Sequence, residues 1–342
     1  MTRVGFFFAL IVALTSCRKD VPPEPPVTVF QPNKSRIYVI NEGNFQFGNA
    51  GVSSFDLVNG TVVEDVFSAV NATALGDVGQ SGIIHNNKLY IVVNNSGKIV
   101  VVDPQTFQLQ QTITGFVSPR FVLPVSSSKF YVSDLYSDHI SILNPVTNQI
   151  TGTISCAGWS EKMMLLNGKV YVTNVTKRFL YIIDPTLDVV QDSIDVGLGA
   201  SSLVEDVNGK LWVLASGSAT QNETGQLHCI DPVNDSIVVT HIFSGIQHPM
   251  QLAISANRTT LYYINDDVYS MPITGSLPTS PLIPAGGRNW YSLDVHPTTG
   301  ELFVGDAIDY VQRGRVYRFT SQGVELSNGL CGVIPAAFIF PY

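Results

Sequence analysis

The chain has 342 residues, with 19 Lys plus Arg against 27 Asp plus Glu and a formal net charge of −8. That balance excludes a binder of phosphate backbone, which needs a basic surface, so no nucleic-acid partner is expected. With 45% hydrophobic and only 13% charged residues, the chain is not disordered and can bury a large core.

The N-terminal segment reads as an address rather than as fold. Arg3 supplies a positive start, and Val4 to Leu14 is an apolar run of 11 residues, too short to span a bilayer comfortably. Leu14-Thr15-Ser16-Cys17 follows. Small residues before a Cys, directly after such a run, are similar to a bacterial lipobox; ordinary signal-peptide cleavage is the alternative. Residues 1–16 are therefore expected to be removed and Cys17 to be lipidated, anchoring the protein to a membrane without a spanning helix. Residues 17–35 form a tether. Its Val21-Pro22-Pro23-Glu24-Pro25-Pro26 segment favours extended polyproline geometry. Three further cysteines, Cys156, Cys229 and Cys331, show no metal-ligand spacing and cannot all pair with one another.

From residue 36 onward the sequence repeats. Arg36-Ile-Tyr-Val-Ile40, Lys88-Leu-Tyr-Ile-Val-Val93, Lys129-Phe-Tyr-Val132, Lys169-Val-Tyr-Val-Thr173, Lys210-Leu-Trp-Val213, Thr260-Leu-Tyr-Tyr-Ile264 and Glu301-Leu-Phe-Val304 are seven copies of one strand. Their second residues are spaced by 52, 41, 40, 41, 50 and 41, the repeat length of a β-propeller blade. A second strand in each copy ends in a turn, as in Ile99 to Asp103-Pro104, Ile140 to Asn144-Pro145, Leu180 to Asp184-Pro185 and Leu227 to Asp231-Pro232. Asp or Asn accepts backbone N–H bonds there, and Pro presets φ for a type I turn. A third strand and a short apolar strand before the next copy complete four strands per blade, A to D from the axis outward. Helical periodicity is absent, which excludes βαβ folds.

Ring closure is also legible. The first copy, Arg36 to Phe67, offers strands B, C and D but no strand A before them. The C-terminal run Gly332-Val-Ile-Pro335-Ala-Ala-Phe-Ile-Phe340 has no blade after it. It is expected to supply the missing strand and latch the ring, removing exposed sheet edges. The expected fold over residues 36–342 is an all-β, seven-bladed propeller of four-stranded antiparallel blades. In blade six, Val268 to Pro272 and the Pro-rich Leu277 to Pro284 leave the third and fourth strands undefined.

A Leu-Tyr-Val strand, a loop, Val-Val-Asp-Pro and a Thr-Ile strand together resemble the YncE-like, YVTN-type seven-bladed propellers over residues 36–340. The opening Ile40-Asn41-Glu42-Gly43-Asn44 is similar to the start of propeller lipoproteins of Bacteroidota, and Arg18-Lys19-Asp20 resembles the sorting signals of their surface lipoproteins. One branch, the BtuG-type, captures cobalamin and passes it to an outer-membrane transporter. The resemblance implies a surface-exposed outer-membrane lipoprotein. It also implies that ligands sit on the face shared by the B–C loops and D–A links.

That face is asymmetric and rich in aromatic and amide groups. Its longer B–C loops belong to blade one (Asn41 to Ala50), blade five (Ala215 to Gly225) and blade seven (Gly305 to Gly314), and long loops on a rigid scaffold concentrate binding residues. The candidate ligand residues are Asn41, Glu42, Asn44, Phe45, Tyr136, Asp306 and Tyr310 from loops. Gln80, Arg120, Trp159, Arg288, Asn289, Trp290 and Tyr291 come from links. Glu161, Lys162 and His248 belong to the same links. Trp and Tyr offer stacking surfaces with a polar edge, and Asn and Gln offer paired donors and acceptors without charge. Trp159 and Trp290 stand out as stacking candidates, and Glu42 suits either a ligand or the fixing of its own loop.

Enzyme signals are thin. The six His fall at unrelated repeat positions, and no HExxH, CxxC, GxSxG or Walker motif occurs. No cofactor or metal is expected. The sequence supports a monomeric, non-catalytic envelope protein that binds a bulky polar nutrient, a corrinoid or a carbohydrate, and presents it to a transporter. The alternatives are a protein–protein module of an outer-membrane complex and a channel-centred lactonase or lyase.

Overall fold

The computed structural model describes residues 35–245 and 247–341. The leader, Cys17 and the tether up to residue 34 lie outside the described residues. Among the described residues no helix is long and apolar enough to cross a membrane.

Seven antiparallel sheets ring a central channel. In blade two, strands A to D are Gly79–His85, Lys88–Val93, Lys98–Val102 and Leu109–Thr114, and blades three, four, five and seven repeat this order. The ring closes as expected. Pro335–Ile339 pairs with Arg36–Asn41, with Ile339 opposite Tyr38 and Ala337 opposite Ile40.

Side-chain patterning follows from position in the ring. A B strand is covered on both faces by neighbouring blades, so it is a continuous buried run: Ile37, Val39, Ile40, Leu89, Ile91, Val92 and Val93 are all fully buried. Hydrophobic clusters lie between consecutive blades rather than within one, as where Ile40 and Val52 meet Leu89, Ile91 and Val93. D strands line the rim and are largely exposed, as in Ser236–Ile242.

The Lys-x-Tyr start of strand B also has a physical explanation. In blade three, Lys129 Nζ donates to Asp188 Oδ1 at 2.8 Å and the Tyr131 hydroxyl donates to the same carboxylate. In blade four, Lys169 and Tyr171 grip Asp235 in the same way, each at 2.5 Å. Asp188 and Asp235 end the Asp-Pro turns of the following blades with φ of 57° and 54°, a region that Asp tolerates better than most residues. In these two blades the repeat motif is therefore a staple from one blade to the next.

One element differs from the sequence expectation, and a second resolves what the sequence left undefined. The D strand of blade one is only Val62–Val63, and Val66–Asn71 forms a short helix. Asp65 accepts the Ser68 N–H to cap it, while Val66 and Phe67 bury against blades one and two. Six residues carry no readable period, so the helix was not expected. Blade six has strands Met250–Ile254, Thr260–Asn265 and Asp267–Pro272, and no fourth strand pairs there among the described residues. Val268 instead donates to the Ile283 carbonyl at 3.0 Å. The intervening segment carries Pro278 and Pro281, which have no N–H for a ladder.

Candidate functional site at the channel mouth

Each A strand breaks register with its B strand directly after its first residue. The shifts fall between Gly79 and Ser81, Pro119 and Val122, Ser160 and Met163, Ala200 and Ser202, Met250 and Ala253, and Trp290 and Ser292. The latch strand does the same between Pro335 and Ala337. One extra residue per strand is a β-bulge, which re-aims a side chain. The bulge residues are Gln80, Arg120, Glu161, Ser201, Gln251, Tyr291 and Ala336, and all but Ala336 carry polar side chains. All seven line a channel cavity of about 210 Å³. A cleft of about 570 Å³ opens beside it, floored by Trp159, Leu198 and Met250 and edged by the blade-five loop around Ser216, Gly217 and Gln221.

One arc of this ring is tightly bonded. Arg120 grips Glu161 with two parallel bonds, Nε to Oε2 at 2.8 Å and Nη2 to Oε1 at 2.6 Å, and a third donor reaches Gln80 Oε1. The Trp159 indole N–H donates to Glu161 Oε2 at 2.5 Å, and the guanidinium lies 5.1 Å from the Trp159 ring centre. Burial works against the Arg120 cation, but the charge and hydrogen bonds of Glu161 more than offset it and hold the guanidinium above its ordinary value. Opposite, Tyr291 donates to Glu42 Oε1 at 2.7 Å. Burial pushes the Glu42 carboxyl up, against the opposing effects of that hydrogen bond and of Arg120.

Of the residues expected from sequence, Glu42, Gln80, Arg120, Trp159, Glu161, Lys162 and Tyr291 line these cavities. The others do not. Asn41 is 1% exposed, and its amide donates to Val39 O at 3.2 Å and Ser53 Oγ at 2.9 Å, so it anchors the core. Asn44 donates to the Tyr310 carbonyl at 2.8 Å and ties the blade-one loop to blade seven. Asp306 accepts the Asn289 and Ile308 N–H groups, each at 2.9 Å, and Tyr310 reaches Asn289 Oδ1. Phe45 and Tyr136 are exposed on their loops outside both cavities. Arg288 covers Trp290 and Tyr317 and lies 3.5 Å from Glu325.

Trp290 is a correction. It is 2% exposed and packs edge-on against Tyr317 and Phe319, so no ring face is left for a ligand. Trp290→Ala should cost about 3–5 kcal/mol of stability, measured by urea denaturation, instead of leaving the fold intact and weakening a ligand.

Sequence reasoning missed Ser201 and Gln251. The signal was present: the bulge residues recur at 80, 120, 161, 201, 251 and 291, in step with the B strands. His248 has its Nδ1 2.9 Å from the Ser216 carbonyl, outside the cavity linings. Among the described residues no group of three or more His, Cys, Asp or Glu is placed to hold a metal ion.

Fold and site define a seven-bladed β-propeller whose channel mouth is walled by polar bulge residues. Residues 36–324 match the family described as a domain of unknown function, DUF5074, and the chain belongs to that family. No curated protein matches it. Among solved structures it is similar to a quinonprotein alcohol dehydrogenase-like protein from Bacteroides thetaiotaomicron, with TM-score 0.69 and 16% identity over 90% of this chain and 78% of that one. A protein from Lactobacillus plantarum gives 0.67 and 13% over 90% and 99%. The periplasmic gluconolactonase of Pseudomonas aeruginosa gives 0.66 and 14% over 89% and 99%. At these identities the likeness is one of fold.

Proposed function

We propose that the protein is a lipid-anchored binding protein of the cell envelope that seats a bulky, polar, uncharged ligand over the channel mouth and presents it to an outer-membrane transporter. The observation that carries this reading is the pairing of Arg120 with Glu161 beside the Trp159 ring. It leaves an indole surface and amide and hydroxyl groups around a cleft, with the cation already neutralised. Ligand pockets combine an apolar wall with a few placed polar groups in this way. The lipobox at Cys17 and the resemblance to BtuG-type lipoproteins support an anchored corrinoid binder, and carbohydrate is the second candidate.

Calorimetric titration of residues 27–342 with cyanocobalamin, then with neutral glycans, tests the reading. Binding with unit stoichiometry is expected, and Trp159→Ala should weaken it by ~1–3 kcal/mol. Absence of heat at several temperatures, for both ligand classes, would sink it.

A second reading rests on Glu42. A buried carboxyl with a raised pKa beside a phenol is suited to general acid catalysis, and the gluconolactonase shares the fold. Acid release from a lactone by the wild type, lost in Glu42→Gln, would favour a hydrolase over a binding protein.

A further inference from the structure

The bulge residues differ in how their side chains are occupied. Arg120 donates to both Gln80 and Glu161, and Tyr291 donates to Glu42. Blade one contributes only the methyl group of Ala336. On blades five and six, Ser201 and Gln251 line both cavities and stand partly exposed. Neither side chain bonds a described residue. The ring thus has a saturated arc and an open polar arc, and the open arc adjoins the Trp159 floor of the cleft.

The backbone marks the same place independently. Gln251 has φ +57°, and it is the one bulge residue of the seven in the left-handed region. That conformation is disfavoured for an L-residue by its Cβ, and Asn tolerates it better than Gln. The neighbouring chain is held in place by Ser202 Oγ, which accepts the Leu252 N–H at 3.2 Å. A longer amide kept in a strained position, lining a cleft and bonded to no described residue, is an outlier that points to function.

We propose that Gln251 and Ser201 are the specificity-determining pair of the channel mouth, reading a neutral ligand group that presents a donor and an acceptor side by side. A primary amide or two adjacent hydroxyls fit. This rests on the ligand-binding reading above and deepens it. The Gln amide and the Ser hydroxyl each offer both a donor and an acceptor. An anionic group is disfavoured, because Arg120 is already neutralised by Glu161, and Lys162, the other cation lining the channel cavity, interacts with Asp294 and does not line the cleft beside Trp159. The apolar side of the ligand lies on Trp159, Leu198 and Met250.

The mature chain and its Gln251→Asn, Ser201→Ala and Trp159→Ala variants are titrated with cyanocobalamin, an amide-bearing probe, and with maltoheptaose, a hydroxyl-bearing one. Thermal melts of each variant accompany the titrations. The probe that binds the wild type identifies the source of the recognised group. Its affinity should fall roughly ten-fold in Gln251→Asn and in Ser201→Ala, as expected for a lost buried hydrogen bond. Gln251→Asn should melt at or above the wild-type temperature. Unchanged affinity in both variants, for a probe that Trp159→Ala weakens, overturns the pair and leaves the mouth as the binding site. A lowered melting temperature for Gln251→Asn also overturns it, because the side chain would then serve the fold. No wild-type response to either probe at millimolar concentration overturns the pair together with the binding reading.

Discussion

Deleting residues 333–342 should leave a chain with no cooperative melt by circular dichroism. The latch strand is the inner strand of blade one, and its removal strips the ladder from Tyr38 to Asn41. Phe338 and Ile339 are 5% and 6% exposed and belong to two different clusters. Phe338 packs with Ile37, Phe55 and Phe303 between blades one and seven, and Ile339 packs with Leu89 and Ile91 between blades one and two. Losing one buried Phe and one buried Ile costs about 3–5 and 2–5 kcal/mol, against a total of about 5–15 kcal/mol for a typical protein. The Pro335 carbonyl, which accepts the Ser292 hydroxyl at 2.6 Å, disappears as well. A propeller opened at this seam also exposes the apolar edge Arg36–Asn41 to pairing with other chains. Phe338→Ala should give a folded but weakened ring. A near-wild-type melting temperature for the deletion would show that the ring does not depend on its latch.

What was legible in the sequence follows from where each strand sits. B strands are buried on both faces, so Lys88–Val93 and its copies read as continuous apolar runs at a fixed spacing. The closing strand was legible because Arg36–Asn41 lacked an inner neighbour and Pro335–Ile339 lacked a blade. A strands were harder, because they alternate between channel and blade interface and the bulge breaks that alternation at its second residue. Gln80, Arg120 and Glu161 consequently look like polar link residues, and only an alignment of the A strands shows that they share one ring.

The same alignment explains the misplacement of Trp290. It occupies the first position of its A strand, where other blades have Gly79, Pro119, Ser160, Ala200, Met250 and Pro335. Of these, all but Met250 are buried. Trp159 stands one residue before its strand and reaches the cleft. An aromatic beside charged neighbours looks the same in both places, and a single step of register decides whether its faces are open. The blade-one helix and the three-stranded pairing of blade six among the described residues were illegible for another reason: neither recurs, so the repeat carries no information about them.

Arg120→Ala should destabilise the protein by about 3–5 kcal/mol and abolish ligand binding at the mouth. The pair is buried, with Arg120 and Glu161 side chains 14% and 7% exposed. Removing the cation strands a buried carboxylate, the costly way to break such a pair. Glu161 would keep only the Trp159 N–H and would face Glu42 without the intervening charge. Glu161→Gln should be milder, because a neutral amide still offers an acceptor to Arg120. Replacing both partners with apolar residues of similar size, Arg120→Met with Glu161→Leu, should recover most of the stability, since the desolvation cost of both ions vanishes. It should not recover binding, because Trp159 loses the acceptor of its N–H and the cation over its ring. A double-mutant cycle followed by urea denaturation measures the coupling directly. Additive losses, or a single-variant cost below about 1 kcal/mol as for an exposed pair, would show that the network does not hold the mouth together. Recovery of stability without recovery of binding would separate the two roles of the arc: Arg120 and Glu161 are not required for the ring to fold, and they are required for Trp159 to face the cleft.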